Sequence, residues 1–145
     1  MKGVIISEVP GLYQVIQLKP FRRTPGVEFD QFPMSFLDEV DAIDRVIHEG
    51  SAISPGPVDG VERPWYMHPN QADNLLVLSG MRHVEVYTPK HGKIESFDVT
   101  ADEVLHNGKS IARGGAMLVW PRGVFHRIRR TRQRTQTAGA AAVKT

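Results

Sequence analysis

Apolar and polar residues follow one another along most of this chain in short runs closed by glycine, proline or asparagine. That is the pattern of strands joined by tight turns. Residues 4–6 and 13–18 predict two strands separated by Pro10-Gly11. Further strands are predicted at 65–68, 75–79, 82–88, 93–99, 110–112, 116–120 and 124–130. Pro69-Asn70, Ser79-Gly80, His91-Gly92, Asn107-Gly108 and Gly114-Gly115 supply the turns. Asn107-Gly108 suits a type I′ hairpin, in which both central residues need positive φ. Residues 100–106 also admit one helical turn capped by Thr100. Seven closely spaced strands with hairpin turns predict an all-β, antiparallel sandwich or barrel.

Two stretches depart from this rhythm. Residues 19–34 mix proline, phenylalanine and charge with no period, and read as irregular and partly extended. Val40, Ile43, Val46 and Ile47 recur at helical spacing, behind a Ser35 to Asp38 cap and ahead of Gly50. They predict an amphipathic helix near 36–48, packed outside the sheet. Residues 54–60 form a loop, and 135–145, small and polar, read as a weakly structured tail. The organisation expected is one domain over 1–134, followed by that tail. Residues 1–63 would hold the N-terminal strands, helix and loop, and 64–130 the barrel core.

Composition narrows the picture. A chain of 145 residues suits a single domain with a substantial core. The absence of cysteine excludes disulfides, thiolate zinc sites and thiol catalysis, and accords with a cytoplasmic location. Glu8 and Pro10 interrupt the N-terminal apolar run, so no signal peptide is expected. No run approaches the roughly 20 apolar residues of a membrane span, so a soluble protein is expected. The net charge of +2 hides a cluster: Arg127, Arg129, Arg130, Arg132 and Arg134 crowd one stretch, and without them the chain is net acidic. Nucleic acid is not the expected partner, because the cluster has a period near two and no aromatic interleaving or helix-turn-helix accompanies it. An exposed strand edge that resists sheet-to-sheet pairing accounts for it, as does recognition of an anionic group by Arg127 or Arg129.

The chemistry lies in two segments. In Gly115-x5-Pro121-x-Gly123-x2-His126, a strand ending at Trp120 turns sharply and aims a histidine. In Tyr66-x-His68-x4-Asp73-x6-Gly80, two polar aromatics share one strand face and a carboxylate opens the next strand. Two imidazoles and a carboxylate meeting in a barrel mouth are donors for a divalent metal with open positions. Each residue also has an ordinary reading: a histidine hydrogen-bonded in a cavity, or an aspartate capping a turn.

The first of these segments fits the second motif of the cupin superfamily except at its final position, where Arg130 replaces asparagine. The other resembles a degenerate first motif, with Tyr66 in place of a histidine and Asp73 in place of a glutamate. The resemblance covers residues 64–130. It implies a small jelly-roll β-barrel and a metal site (Fe, Mn, Zn or Ni) at His68, Asp73 and His126; beside these, Gln71 offers a neutral oxygen ligand or a hydrogen bond to a bound water. It also implies a homodimer. Tyr66, Gln71, Trp120 and Arg127 are expected to line the pocket. Three functions follow. One is a metal-dependent oxygenase or isomerase acting on a small polar metabolite. Another is metal-free chemistry like that of the nucleotide-sugar epimerases and ketoisomerases, with His68 as base, Asp73 tuning it and Tyr66 as acid. The last is a non-catalytic binding or sensor module.

Overall fold

The computed structural model describes residues 4–37, 39–49, 52–130 and 138–145. The class is all-β. Its strands are β1 (Val4–Val9), β2 (Tyr13–Gln17), β3 (Lys19–Thr24), β4 (Val27–Gln31), β5 (Ala42–His48), β6 (Ile53–Ser54), β7 (Tyr66–Met67), β8 (Asp73–Ser79), β9 (Arg82–Tyr87), β10 (Glu95–Val99), β11 (Glu103–His106), β12 (Lys109–Arg113), β13 (Ala116–Trp120), β14 (Phe125–Arg130) and β15 (Ala138–Lys144). One sheet runs β1-β2-β13-β8-β15-β5 and the other β12-β11-β10-β9-β14-β6, with β7 also on β14. Pairing within both is antiparallel.

The alternation read from the sequence is what packs the two sheets. In β9, Val84 and Val86 are buried while His83, Glu85 and Tyr87 face outward. In β10, Phe97 and Val99 point the same way as Val84. These side chains meet Val15, Leu75, Val77, Leu118 and Trp120 of the other sheet in one apolar core. Fully burying each is worth about 1.5–3 kcal/mol, enough to fix the register of every strand that contributes one. A smaller cluster of Ile16, Leu37, Met117 and Val143 covers the outer face of the first sheet beneath Phe32 and Phe36. The turn at Asn107 (φ 48°) and Gly108 (φ 84°) has the double positive φ expected of its sequence.

Four expectations are corrected. The helix expected near 36–48 is absent: a 3-10 turn at Met34–Phe36 precedes β5, an edge strand paired with β15. Residues 19–34 are not irregular throughout, because β3 and β4 form a hairpin turned at Pro25-Gly26. Residues 100–106 hold a strand, not a helical turn. The tail expected at 135–145 is not weakly structured over Ala138–Lys144. That segment is β15, hydrogen-bonded to β8 on one side and β5 on the other. The rest of that tail, 135–137, lies outside the described residues. No helix among the described residues is long and apolar enough to cross a membrane.

Candidate functional site

Strand register builds the site from two facing rows. In the first sheet Trp120 pairs with Asp73, and Asp73 with Lys144, so three side chains stand side by side on one face. Val143 packs into the outer cluster, and alternation therefore turns Lys144 inward. In the second sheet Tyr66 pairs with His126, and His126 with Val86. Gly123 takes φ +77° in the turn before β14, and its N–H donates to the His68 carbonyl at 2.9 Å. That bond ties the loop carrying His68 to the turn that aims His126. Gly115 serves the same segment through close approach: a Cβ there would meet Leu18 Cδ1 at 2.8 Å.

The carboxylate of Asp73 is 3% exposed and held on both oxygens. Trp120 Nε1–H donates to Oδ2 at 3.1 Å, and the Lys144 ammonium donates to Oδ1. His68 Nε2 and His126 Nε2 stand 3.6 and 3.5 Å from Oδ2, beyond ordinary hydrogen-bond length. The donor atoms of His68, Asp73 and His126 lie within 4.8 Å of one another. His126 sets Nδ1 3.3 Å from the Val124 carbonyl, which can only accept, so Nδ1 carries the proton and Nε2 keeps its lone pair. Burial pushes the His126 pKa down to about 4 against the opposing pull of Val124 and Asp73, with His68 and Lys144 adding to the depression. The ring is therefore neutral at pH 7.

The sequence-derived residues fall into three groups. His68, Asp73, His126 and Trp120 come together; the Trp120 ring centroid is 5.0 Å from that of His126. Tyr66 stands at the mouth, 45% exposed, its ring centroid 6.3 Å from that of His68 and 6.0 Å from that of His126. Gln71 is half-buried in the loop before β8, outside the hydrogen-bonded set. Arg127 is a correction. It follows His126 in the strand and so projects from the opposite face. There its Nε donates to Glu85 at 2.6 Å, and its guanidinium lies 4.2 Å from the Trp65 ring.

Lys144 was not foreseen from the sequence. It lies 71 residues from its partner, in a stretch whose composition suggests a tail. A second polar cluster also escaped notice. Glu95, 3% exposed, accepts from His91, His106 and Asn107 at 2.8, 2.7 and 2.9 Å. Glu95 and His126 both pair with Val86, so this cluster braces the wall beside the site.

The class these features define is a small antiparallel double-sheet barrel with a His/Asp/His group in a polar mouth. No protein-family model matches the sequence, and no curated protein matches it. Solved structures do match. One is a sugar 3,4-ketoisomerase from Thermoanaerobacterium thermosaccharolyticum in complex with TDP. It has a TM-score of 0.64 and 9% identity, over 91% of this chain and 79% of that one. Another is a dTDP-4-dehydrorhamnose 3,5-epimerase from Sulfolobus tokodaii, with a TM-score of 0.65 and 14% identity over 100% and 76%. A dTDP-6-deoxy-D-glucose-3,5-epimerase from Legionella pneumophila, in complex with dTDP-4-keto-L-rhamnose, has a TM-score of 0.65 and 14% identity over 97% and 70%. The chain shares the fold of these proteins, a double-sheet β-barrel of the kind that the cupin resemblance implies.

The donor set meets only part of what the divalent metal implied by the cupin resemblance requires. Its spacing admits a cation. Its charge does not, because the only anion, Asp73, already neutralises Lys144 and accepts from Trp120. As it stands, the group does not fit a resident metal.

Proposed function

We propose that the barrel mouth binds a small polar, sugar-like molecule and moves a proton on it without a metal. The carrying observation is how exposure divides the group. His68 (34% exposed) and Tyr66 open to the mouth, while Asp73 and His126 (each 4%) close the floor. A ligand entering the mouth meets the first pair. With Nε2 turned toward Asp73, His68 has Nδ1 left to act as base. On a keto sugar the base takes a proton from the carbon beside the carbonyl, and the Tyr66 hydroxyl supplies one. Return to the opposite face of the same carbon is an epimerisation; delivery to the former carbonyl carbon, with loss of the proton from the neighbouring hydroxyl, moves the carbonyl and is an isomerisation. Neither needs an oxidant. The neighbours named as ketoisomerase and epimerases support this reading of the site.

The test uses dTDP-4-keto-L-rhamnose in D2O with a chelator present. Deuterium is expected to enter the carbon next to the carbonyl. His68→Ala and Tyr66→Phe should each slow uptake by about 10²–10⁴. Absence of both binding and exchange would sink the proposal.

A metal-dependent oxygenase or isomerase has one observation in its favour, the close spacing of the three donors. Elemental analysis after loading with Fe, Mn, Zn and Ni distinguishes it: one tightly held equivalent supports it. A cytoplasmic homodimer accompanies the proposal, to be checked by light scattering.

A further inference from the structure

We propose that Lys144 is a built-in counter-cation that blocks metal binding at the His68–Asp73–His126 group, and that neutralising it exposes a divalent-metal site. The starting point is the mismatch between a donor set spaced for a cation and a carboxylate already taken. Lys144 is not a surface lysine that has drifted onto the nearest acid. Its main chain is fixed opposite Asp73 by the β8–β15 ladder. Beyond it, Ala72 N–H donates to the Thr145 carbonyl at 2.7 Å, and Thr145 N–H to the Ala72 carbonyl at 3.1 Å. The Asn74 side-chain amide donates to the Val143 carbonyl at 2.9 Å and to Thr145 Oγ1 at 3.0 Å. These bonds bracket Lys144 on both sides. Among the described residues the other acid within reach is Asp44, at 3.9 Å, half-exposed on the edge strand β5.

The consequence is electrostatic. With Lys144 on Asp73 the group has no net negative charge. An entering dication would meet two imidazoles, a carboxylate already paired, and an ammonium side chain only 14% exposed. Repulsion between like charges is strong where water screens poorly. A metal must therefore displace the lysine into an apolar core or share the carboxylate with it, and both are costly. Replacing the ammonium by a neutral chain of similar length frees Oδ1 and restores a two-imidazole, one-carboxylate donor set. The inference rests on geometry and charge, and holds whichever reaction the mouth carries out.

The test measures Zn²⁺ and Mn²⁺ binding by calorimetry and by elemental analysis after gel filtration, with no activity readout. Wild type and Lys144→Arg should retain less than about a tenth of an equivalent. Lys144→Met should bind close to one equivalent, on the order of 100-fold more tightly than wild type. Adding Asp73→Asn to Lys144→Met should abolish the gain. Lys144→Gln is measured beside Lys144→Met, with circular dichroism and melting curves confirming that each variant folds. One tightly held equivalent in wild type overturns the proposal without reference to any variant. So does a folded Lys144→Met or Lys144→Gln protein that binds metal no better than wild type. If wild type binds no metal and catalyses no exchange, the proposed reaction fails and the role of Lys144 stands.

Discussion

Acid should weaken this fold at Glu95, and the geometry sets the size of the effect. The Glu95 carboxylate is buried, which raises its pKa. Hydrogen bonds from His91, Asn107 and His106, with the charge of His106, outweigh that and hold it at about 2, against an ordinary 4.5. The folded pKa is the lower one, so the unfolded chain binds a proton that the folded chain refuses. The stabilisation is therefore complete above about pH 4.5 and is lost as pH falls toward 2. At about 1.4 kcal/mol per unit, the shift amounts to about 3 kcal/mol; solvent reaching the cluster through His91, His106 and Lys93 lowers that to about 1–2 kcal/mol. Glu95→Gln should be less stable than wild type by about that amount at pH 7 in urea denaturation, because the amide keeps one acceptor and turns donors toward donors. The gap should narrow steadily between pH 5 and pH 2. A gap that stays constant with pH, or a variant as stable as wild type at pH 7, would refute the assignment of charge to this cluster.

Three further outcomes are expected. Trp120→Phe keeps one aromatic ring but removes the donor to Asp73 Oδ2 and leaves part of the indole's volume unfilled, so it should cost at least about 1–3 kcal/mol in denaturation; no measurable loss would mean that Asp73 finds another donor and the core closes over the gap. Arg127→Ala breaks the outer-face pair with Glu85 and the stack on Trp65, so it should cost about 1 kcal/mol and leave deuterium exchange unchanged; a large fall in exchange would return Arg127 to the pocket. Ala141→Pro places proline inside a strand flanked on both sides, opposite Arg45 and Leu76, and should lower the melting temperature sharply; an unaltered melt would mean β15 does not hold the sheet together.

The barrel core was legible because its signals are local. Pro121 and Gly123 turn the chain between Trp120 and His126, and both flanking strands lie where the apolar runs put them. Asn107-Gly108 announced its hairpin in two residues. The segment over 36–48 misled because β5 is an edge strand with Ile43 70% exposed and Ile47 39% exposed, so its burial does not alternate. Val40, Ile43, Val46 and Ile47 then mimic a helical stripe. What decides its conformation is β15, which lies ninety residues away and offers a complete ladder. The alanines of β15 carry little strand propensity of their own, and its place between β8 and β5 supplies what propensity does not.

The same division runs through the site. A motif can show that His68 precedes Asp73 by five residues and that a glycine turn aims His126, because each relation is contained in one short connection between successive strands. It cannot show which strand lies on the far side of Asp73. That strand is β15, and the residue in register is a lysine. Were a neutral residue there, His68, Asp73 and His126 would have a free carboxylate and donors close enough for a cation. With Lys144 present the same three side chains keep their spacing and lose their charge. The residues that identify the fold are therefore neighbours in sequence. The residue that determines what the site can hold is a neighbour only across the sheet, and no spacing within the motifs encodes it.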